Sequence, residues 1–332
     1  MRTMHLSEYE REYRRTTNRL GASLLLTIGL HIGLDLFLAP MLAIFAPNLT
    51  LTQATLIEEL TDMLIRLLAF LLPALFYRWI TPKERRSPML LEPKMPKDTA
   101  LIIPAAMAII YCAAITNSFL TRSLGLSAGS PSYAVPDTSM PPYLAVLSFM
   151  ATAVIPAFCE EFLFRGLVVS QLLPYGKTTA VLGSALLFGL IHQNYGQFFY
   201  ATLAGVLLAL AVIESGSVWV GVIIHLLNNL ISVVGEVMYN RLPYETEMVL
   251  SRAMEVLIVG GGLICLVVLI YHRSGQDKAR RQELRCGPQP KNGAVRGFCA
   301  PMMVAFCLLC VGEMLILAAT AWLTRMDWGM FL

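Results

Sequence analysis

The feature that most constrains this chain is a succession of apolar runs, each close to the length of a membrane span, separated by short polar connections. They fall near 20–46, 56–79, 99–121, 143–172, 178–194, 197–214, 217–236, 249–271 and 299–323. About 20 mostly apolar residues wound as a helix cross the roughly 30 Å hydrocarbon layer of a bilayer. A helix also satisfies every backbone polar group there without water. The spacing predicts an all-α fold, a polytopic transmembrane helical bundle of about eight to nine spans. The range reflects 56–79, whose Glu58, Glu59, Asp62 and Arg66 suit an interfacial beginning. Composition agrees: charged residues make up 14% of the chain, against roughly 25% in ordinary soluble domains.

The net charge of +3 does not mark a nucleic-acid partner, because the basic residues lie between apolar runs. Five Lys and Arg occupy residues 1–19, six occupy 78–97 and seven occupy 272–298, whereas the alternate connections hold none or one. By the positive-inside rule the three basic segments face the cytoplasm. Nine crossings then put the C-terminus outside. The first apolar run is too long for a signal-peptide core and has no small-x-small cleavage site, so it reads as an uncleaved span. The Ser-, Pro- and Gly-rich stretch 123–143 reads as an irregular external loop. Seven cysteines are scattered, and the Cys307-x-x-Cys310 pair has no second pair or histidine beside it, so no cysteine-metal or redox role is expected.

Within this setting "FCEEFLFRGLV", residues 158–168, puts three charges into an apolar run. Ionisable residues inside a bilayer are costly and mark function more often than packing. Glu161 and Arg165 are four apart with the acid first, the favourable order for an ion pair on one helix face. Glu160 is left without a local cation, and a buried carboxylate in that position binds something or takes up a proton. Pro156, one turn earlier, removes a backbone hydrogen bond there. Downstream, "FGLIHQ" places His192 one turn after Phe188, and "IIHLLNNL" places His225 and Asn229 at i and i+4 on one face.

Two neutral imidazoles and a carboxylate form a ligand set for zinc or another divalent metal, with one position open for water; Glu160, His192 and His225 are the candidate ligands. Without metal, a carboxylate and a histidine orient a water as general base while a histidine and an amide stabilise the oxyanion. Both routes are hydrolysis by an activated water. No G-x-S-x-G element accompanies these residues to suggest a serine nucleophile.

The three pieces, E-E-x-x-x-R at Glu160, Glu161 and Arg165, F-x-x-x-H at Phe188 and His192, and H-x-x-x-N at His225 and Asn229, resemble the CAAX-protease and bacteriocin-processing (CPBP, or Abi) family of intramembrane endopeptidases. The resemblance covers 143–236, and no motif position departs from the pattern. It implies an intramembrane metallo-endopeptidase acting on a peptide or lipidated protein in the bilayer, of leader or CAAX type. Glu160 would activate the water with His192 as its partner, His225 and Asn229 would complete the metal shell or oxyanion site, and Glu161 with Arg165 would support Glu160. The expected organisation is a cytoplasmic head at 1–19, one transmembrane domain at 20–324 with its catalytic core at 143–236, and a tail at 325–332. Met and Cys scattered in apolar runs, with no organelle signal, point to a bacterial plasma membrane.

Two other classes compete. His31 and Asp35 at i, i+4 in the first run and Glu313 in the last suggest a transporter path, although the His–Asp pair satisfies itself and no inverted repeat is visible. A non-catalytic peptide-binding protein, of immunity or scaffold type, would not need the intact set of Glu160 and His192. The orientation is tested by thiol labelling in a background whose native cysteines are replaced. Asn48→Cys is expected to react with an impermeant reagent on intact cells, and Lys94→Cys only after lysis; the reverse pattern inverts the topology.

Overall fold

The computed structural model describes residues 6–45, 48–123, 141–274 and 298–329. Most of the 123–143 stretch, most of the basic 272–298 connection and residues 330–332 of the tail lie outside them. Among the described residues there is no strand. The described residues form nine main helices: α1 (Leu6–Phe45), α2 (Leu51–Ile80), α3 (Thr99–Ser123), α4 (Pro142–Tyr175), α5 (Lys177–Ile191), α6 (Tyr195–Ser215), α7 (Val218–Arg241), α8 (Tyr244–Ser274) and α9 (Pro301–Gly329). The first begins inside the charged 1–19 segment, so head and first span share one helix.

Eight of these helices are long and apolar enough to cross a membrane, and the bundle is that of a multi-pass membrane protein. The exception is α5. Its 15 residues rise about 22 Å, short of the hydrocarbon thickness, so the run read as a span over 178–194 is an incomplete one. The chain supplies the reason at both ends. Gly176 (φ 121°) turns it into α5, and after His192 it reverses through Gln193 (φ 51°) into Asn194, whose side chain caps α6 by accepting from Gly196 N at 2.8 Å. The helix over 56–79 also differs in its start. Thr50 and Gln53 form a capping box that opens α2 five residues earlier.

Hydrogen bonds gather alternate helix ends into one basic end of the bundle. Glu12 of α1 pairs with Arg85 in the α2–α3 connection, and Thr16 Oγ1 lies 2.9 Å from the Tyr175 hydroxyl at the end of α4. Asn18 Oδ1 accepts from Met302 N at the start of α9, and Arg273 at the end of α8 meets Glu214 of α6 at 3.2 Å. The α2–α3 connection is more than a tether. It exchanges two hydrogen bonds between Ser87 and Gln171 of α4, and Leu90 O and Glu92 O accept from Val218 N and the Ser217 hydroxyl at the α6–α7 corner.

The core lies around α4, which packs against α2, α5, α6 and α7. Leu163, Phe164, Leu167 and Val168 are buried in it together with Leu20 and Leu24 of α1, Phe70 of α2 and Phe306 of α9. A second cluster joins Ile110 of α3, Leu208 of α6 and Ile224 of α7. Burial therefore falls on the helices that carry the three motifs, while α8 and α9 leave most of their apolar surface outward.

Candidate active site

In α4 the hydrogen bonding widens to π geometry over Met150–Val154 and again over Phe162–Val169, with one α-helical stretch, Ile155–Glu161, between. Pro156 explains the first change: it offers no N–H, and the N–H of Ile155 reaches back five residues to Met150 O. Such π segments recur at functional sites. Here they bracket Glu160 and Glu161, the last two residues of the α-helical stretch.

Glu161 is fully buried and shared. Its Oε1 lies 2.9 Å from Arg165 Nη1 and 3.0 Å from His225 Nδ1 of α7. The Arg165 contact is an ion pair whose angle falls short of a hydrogen bond, since Nη1 and Nε have no hydrogen-bond partner. Arg165 is compensated in other ways. Its guanidinium lies 4.3 Å from the centre of the Phe188 ring, and its Nη2 donates weakly to Gly205 O of α6 at 3.4 Å. The expected Glu161–Arg165 pair is therefore present, and it extends to His225, which sequence spacing does not reveal. A carboxylate only accepts, so His225 donates through Nδ1 and turns its Nε2 outward.

That Nε2 faces Glu160, at 3.9 Å from Oε2, beyond hydrogen-bond length. Glu160 is 8% exposed, and its Oε2 has no hydrogen-bond partner. His192, at the C-terminal end of α5, is anchored through Nδ1 to Phe188 O at 2.7 Å. The Phe188 ring stands edge-on to both His192 and His225, with centroids 5.0 and 5.9 Å away. Asn229 Nδ2 makes one long bond, 3.4 Å, to Ala153 O in the first π segment. All seven residues singled out in the sequence thus belong to one buried neighbourhood.

Two cavities flank it. One of about 310 Å³ is lined by Glu160, His192, Gln193, His31 and Arg66. Another of about 300 Å³ is lined by His192, Phe188, His225, Asn229, Asn228 and Tyr200. His192 stands in both walls. His31 is 3.6 Å from Asp35, as its spacing suggested, yet it also faces the Glu160 cavity. No three His, Cys, Asp or Glu side chains among the described residues stand together as a metal site. The candidate ligands Glu160, His192 and His225 are not gathered into such a group.

Sequence reasoning passed over several residues. Tyr200 donates to Asn228 Oδ1 at 2.5 Å, and Asn228 in turn donates to Asn229 Oδ1 at 3.4 Å. The second asparagine of "HLLNN" was a signal for this relay, whereas nothing marked Tyr200. Gly221 leaves room for the acid: a Cβ there would lie 2.7 Å from Glu161 Oε2.

Residues 142–231 match the family model described as type II CAAX prenyl endopeptidase, Rce1-like. The matched segment runs from the start of α4 into α7 and contains all three motifs. It bears out the family resemblance drawn from them, and with it an intramembrane protease of the CAAX type in general. No curated protein and no solved structure matches the chain.

Removing one partner of a buried ion pair leaves the other charge uncompensated, at a cost of about 3–5 kcal/mol. Arg165→Ala and Glu161→Ala are therefore expected to melt well below wild type in detergent. Glu160→Gln, which leaves that pair untouched, is expected to melt at the wild-type temperature. Equal melting of all three variants would show that the pair contributes nothing.

Proposed function

We propose that this protein is an intramembrane endopeptidase that hydrolyses a peptide bond of a membrane-associated peptide, of leader or CAAX type, with a water activated by Glu160. The observation that carries the reading is Glu160 itself: a buried carboxylate oxygen with no hydrogen-bond partner, in the wall of a cavity shared with His192. Leaving such an oxygen unsatisfied is costly. A water in that cavity relieves the cost and is held where a base can use it.

In the reaction the water oxygen attacks the scissile carbonyl carbon while Glu160 takes the water proton. The C–N bond then breaks as Glu160 returns that proton to the leaving nitrogen. His192, in the walls of both cavities, is assigned to hold the water together with Glu160. Asn229 Nδ2, committed only to a long bond, and the Nε2 edge of His225 are the groups assigned to the oxyanion. Glu161 and Arg165 act one step back, by fixing His225. The half-buried Tyr200–Asn228 contact does the same for Asn229. The basic end of the bundle is assigned to the cytoplasm on the charge distribution, and the membrane to a bacterial plasma membrane on the scattered Met and Cys of the apolar runs.

Zinc or another divalent ion remains the second reading. What favours it is His225, oriented by a carboxylate at Nδ1 with Nε2 turned toward Glu160, the arrangement that commonly supports a metal-binding imidazole. The steps above use only the protein groups.

Glu160→Gln is expected to lower kcat/KM for a farnesylated CAAX-type peptide by about 10²-fold or more. Adding His192→Ala or His225→Ala should cost little further, since residues acting as one unit are non-additive. Wild-type activity in Glu160→Gln would end this reading. Dialysis against a strong chelator should leave the purified protein active; loss of cleavage that zinc restores would establish the metal-dependent alternative.

A further inference from the structure

The turn between α5 and α6 contains a residue that neither the motifs nor the mechanism uses. Gln193 has φ 51°, the left-handed region that strains every side chain and suits glycine. Glycine would serve the turn better, so the turn gives no reason for glutamine. Backbone strain of this kind persists where surrounding structure or function holds it in place.

The side chain supplies a reason. Gln193 Nε2 is buried and has no hydrogen-bond partner, and the residue lines the same 310 Å³ cavity as Glu160 and His192. Its neighbours in that wall have local bonds of their own. Asn194 Oδ1 caps α6, His192 Nδ1 is held by Phe188 O, and across the cavity Arg66 Nε donates to Asp62 at 2.7 Å. Gln193 Nε2 is thus an unsatisfied buried donor in the lining that also holds the unsatisfied Oε2 of Glu160, and His31 Nδ1, on a residue already paired with Asp35, is a third such atom there.

A carboxamide offers two N–H donors and a carbonyl acceptor, the same groups that a peptide unit offers in return. We propose that Gln193 is a substrate-anchoring residue, whose carboxamide hydrogen-bonds the main chain of the peptide beside the scissile bond, in the Glu160 cavity. The assignment rests on the peptidase reading. Because it addresses main chain rather than side chain, it holds substrates of differing sequence in one register relative to Glu160. An amide left unsatisfied in the free protein and satisfied in the complex also favours a peptide over an apolar molecule of the same size.

The test uses the full chain in proteoliposomes, with a farnesylated CAAX-type peptide and analogues in which one backbone amide near the scissile bond is replaced by an ester. Gln193→Met removes the donors at nearly constant length, and Gln193→Gly removes the side chain while suiting the turn. Both are expected to lose about tenfold or more in kcat/KM, with the melting temperature of Gln193→Gly equal to wild type or higher. One ester analogue should be cut more slowly than the amide by wild type, and that difference should vanish in Gln193→Met. Variants within twofold of wild type, or an ester penalty that persists unchanged in Gln193→Met, would overturn the anchoring role. Glu160→Gln separates the two failures. If it is inactive while Gln193→Met is fully active, only the anchoring role falls; if it is fully active, the peptidase reading falls as well.

Discussion

The buried Arg165–Glu161–His225 chain is the interaction on which the rest of the site depends. Glu161 and Arg165 are both 0% exposed, and a charge at that depth persists only when it is paired and surrounded by groups that replace water. Each helix near it contributes one such group. Helix α5 gives the face of Phe188, α6 gives the carbonyl of Gly205, and α7 gives His225 together with the space left by Gly221. The network therefore sets the relative position of four helices. In return those helices make the ion pair tolerable.

From that arrangement follows the division between the two glutamates. Adjacent positions on a helix point in directions about 100° apart, so one carboxylate turns into the network and the other turns out of it. Glu161 is consumed in fixing a histidine. Glu160 meets a cavity with an oxygen unsatisfied. The π segments on either side of the pair belong to the same account. They loosen the backbone of α4 where Pro156 interrupts it, and the Ala153 carbonyl in the first of them is the group that receives Asn229.

The short helix α5 has a role that its length explains. A full crossing would carry its end past the site. Stopping after 15 residues, it delivers His192 and the strained turn that follows to the level of Glu160, where a capped α6 begins. The α2–α3 connection packs on α4 from the basic end of the bundle. Hydrogen-bonded to Gln171 and to the α6–α7 corner, it places Met89 and Leu91 against Gly166, one residue past Arg165.

The helical class, the membrane setting and the residues of the three motifs were all legible in the sequence, because each rests on short-range physics. Apolar runs of span length have one way to satisfy their backbone in lipid, and i, i+4 spacing decides which side chains share a face. The Glu161–Arg165 pair was readable for the same reason. What only the tertiary structure decided are relations between residues 23 to 76 positions apart: Glu161 against His225, Arg165 over Phe188 and bonded to Gly205, Tyr200 on Asn228, Asn229 on Ala153. The same holds for the early stop of α5, which the continuous apolar run over 178–194 concealed. No local pattern encodes these, since hydropathy is blind to where a helix stops inside an apolar segment and spacing is blind to which neighbour a face will meet. Packing around the buried charge made those choices.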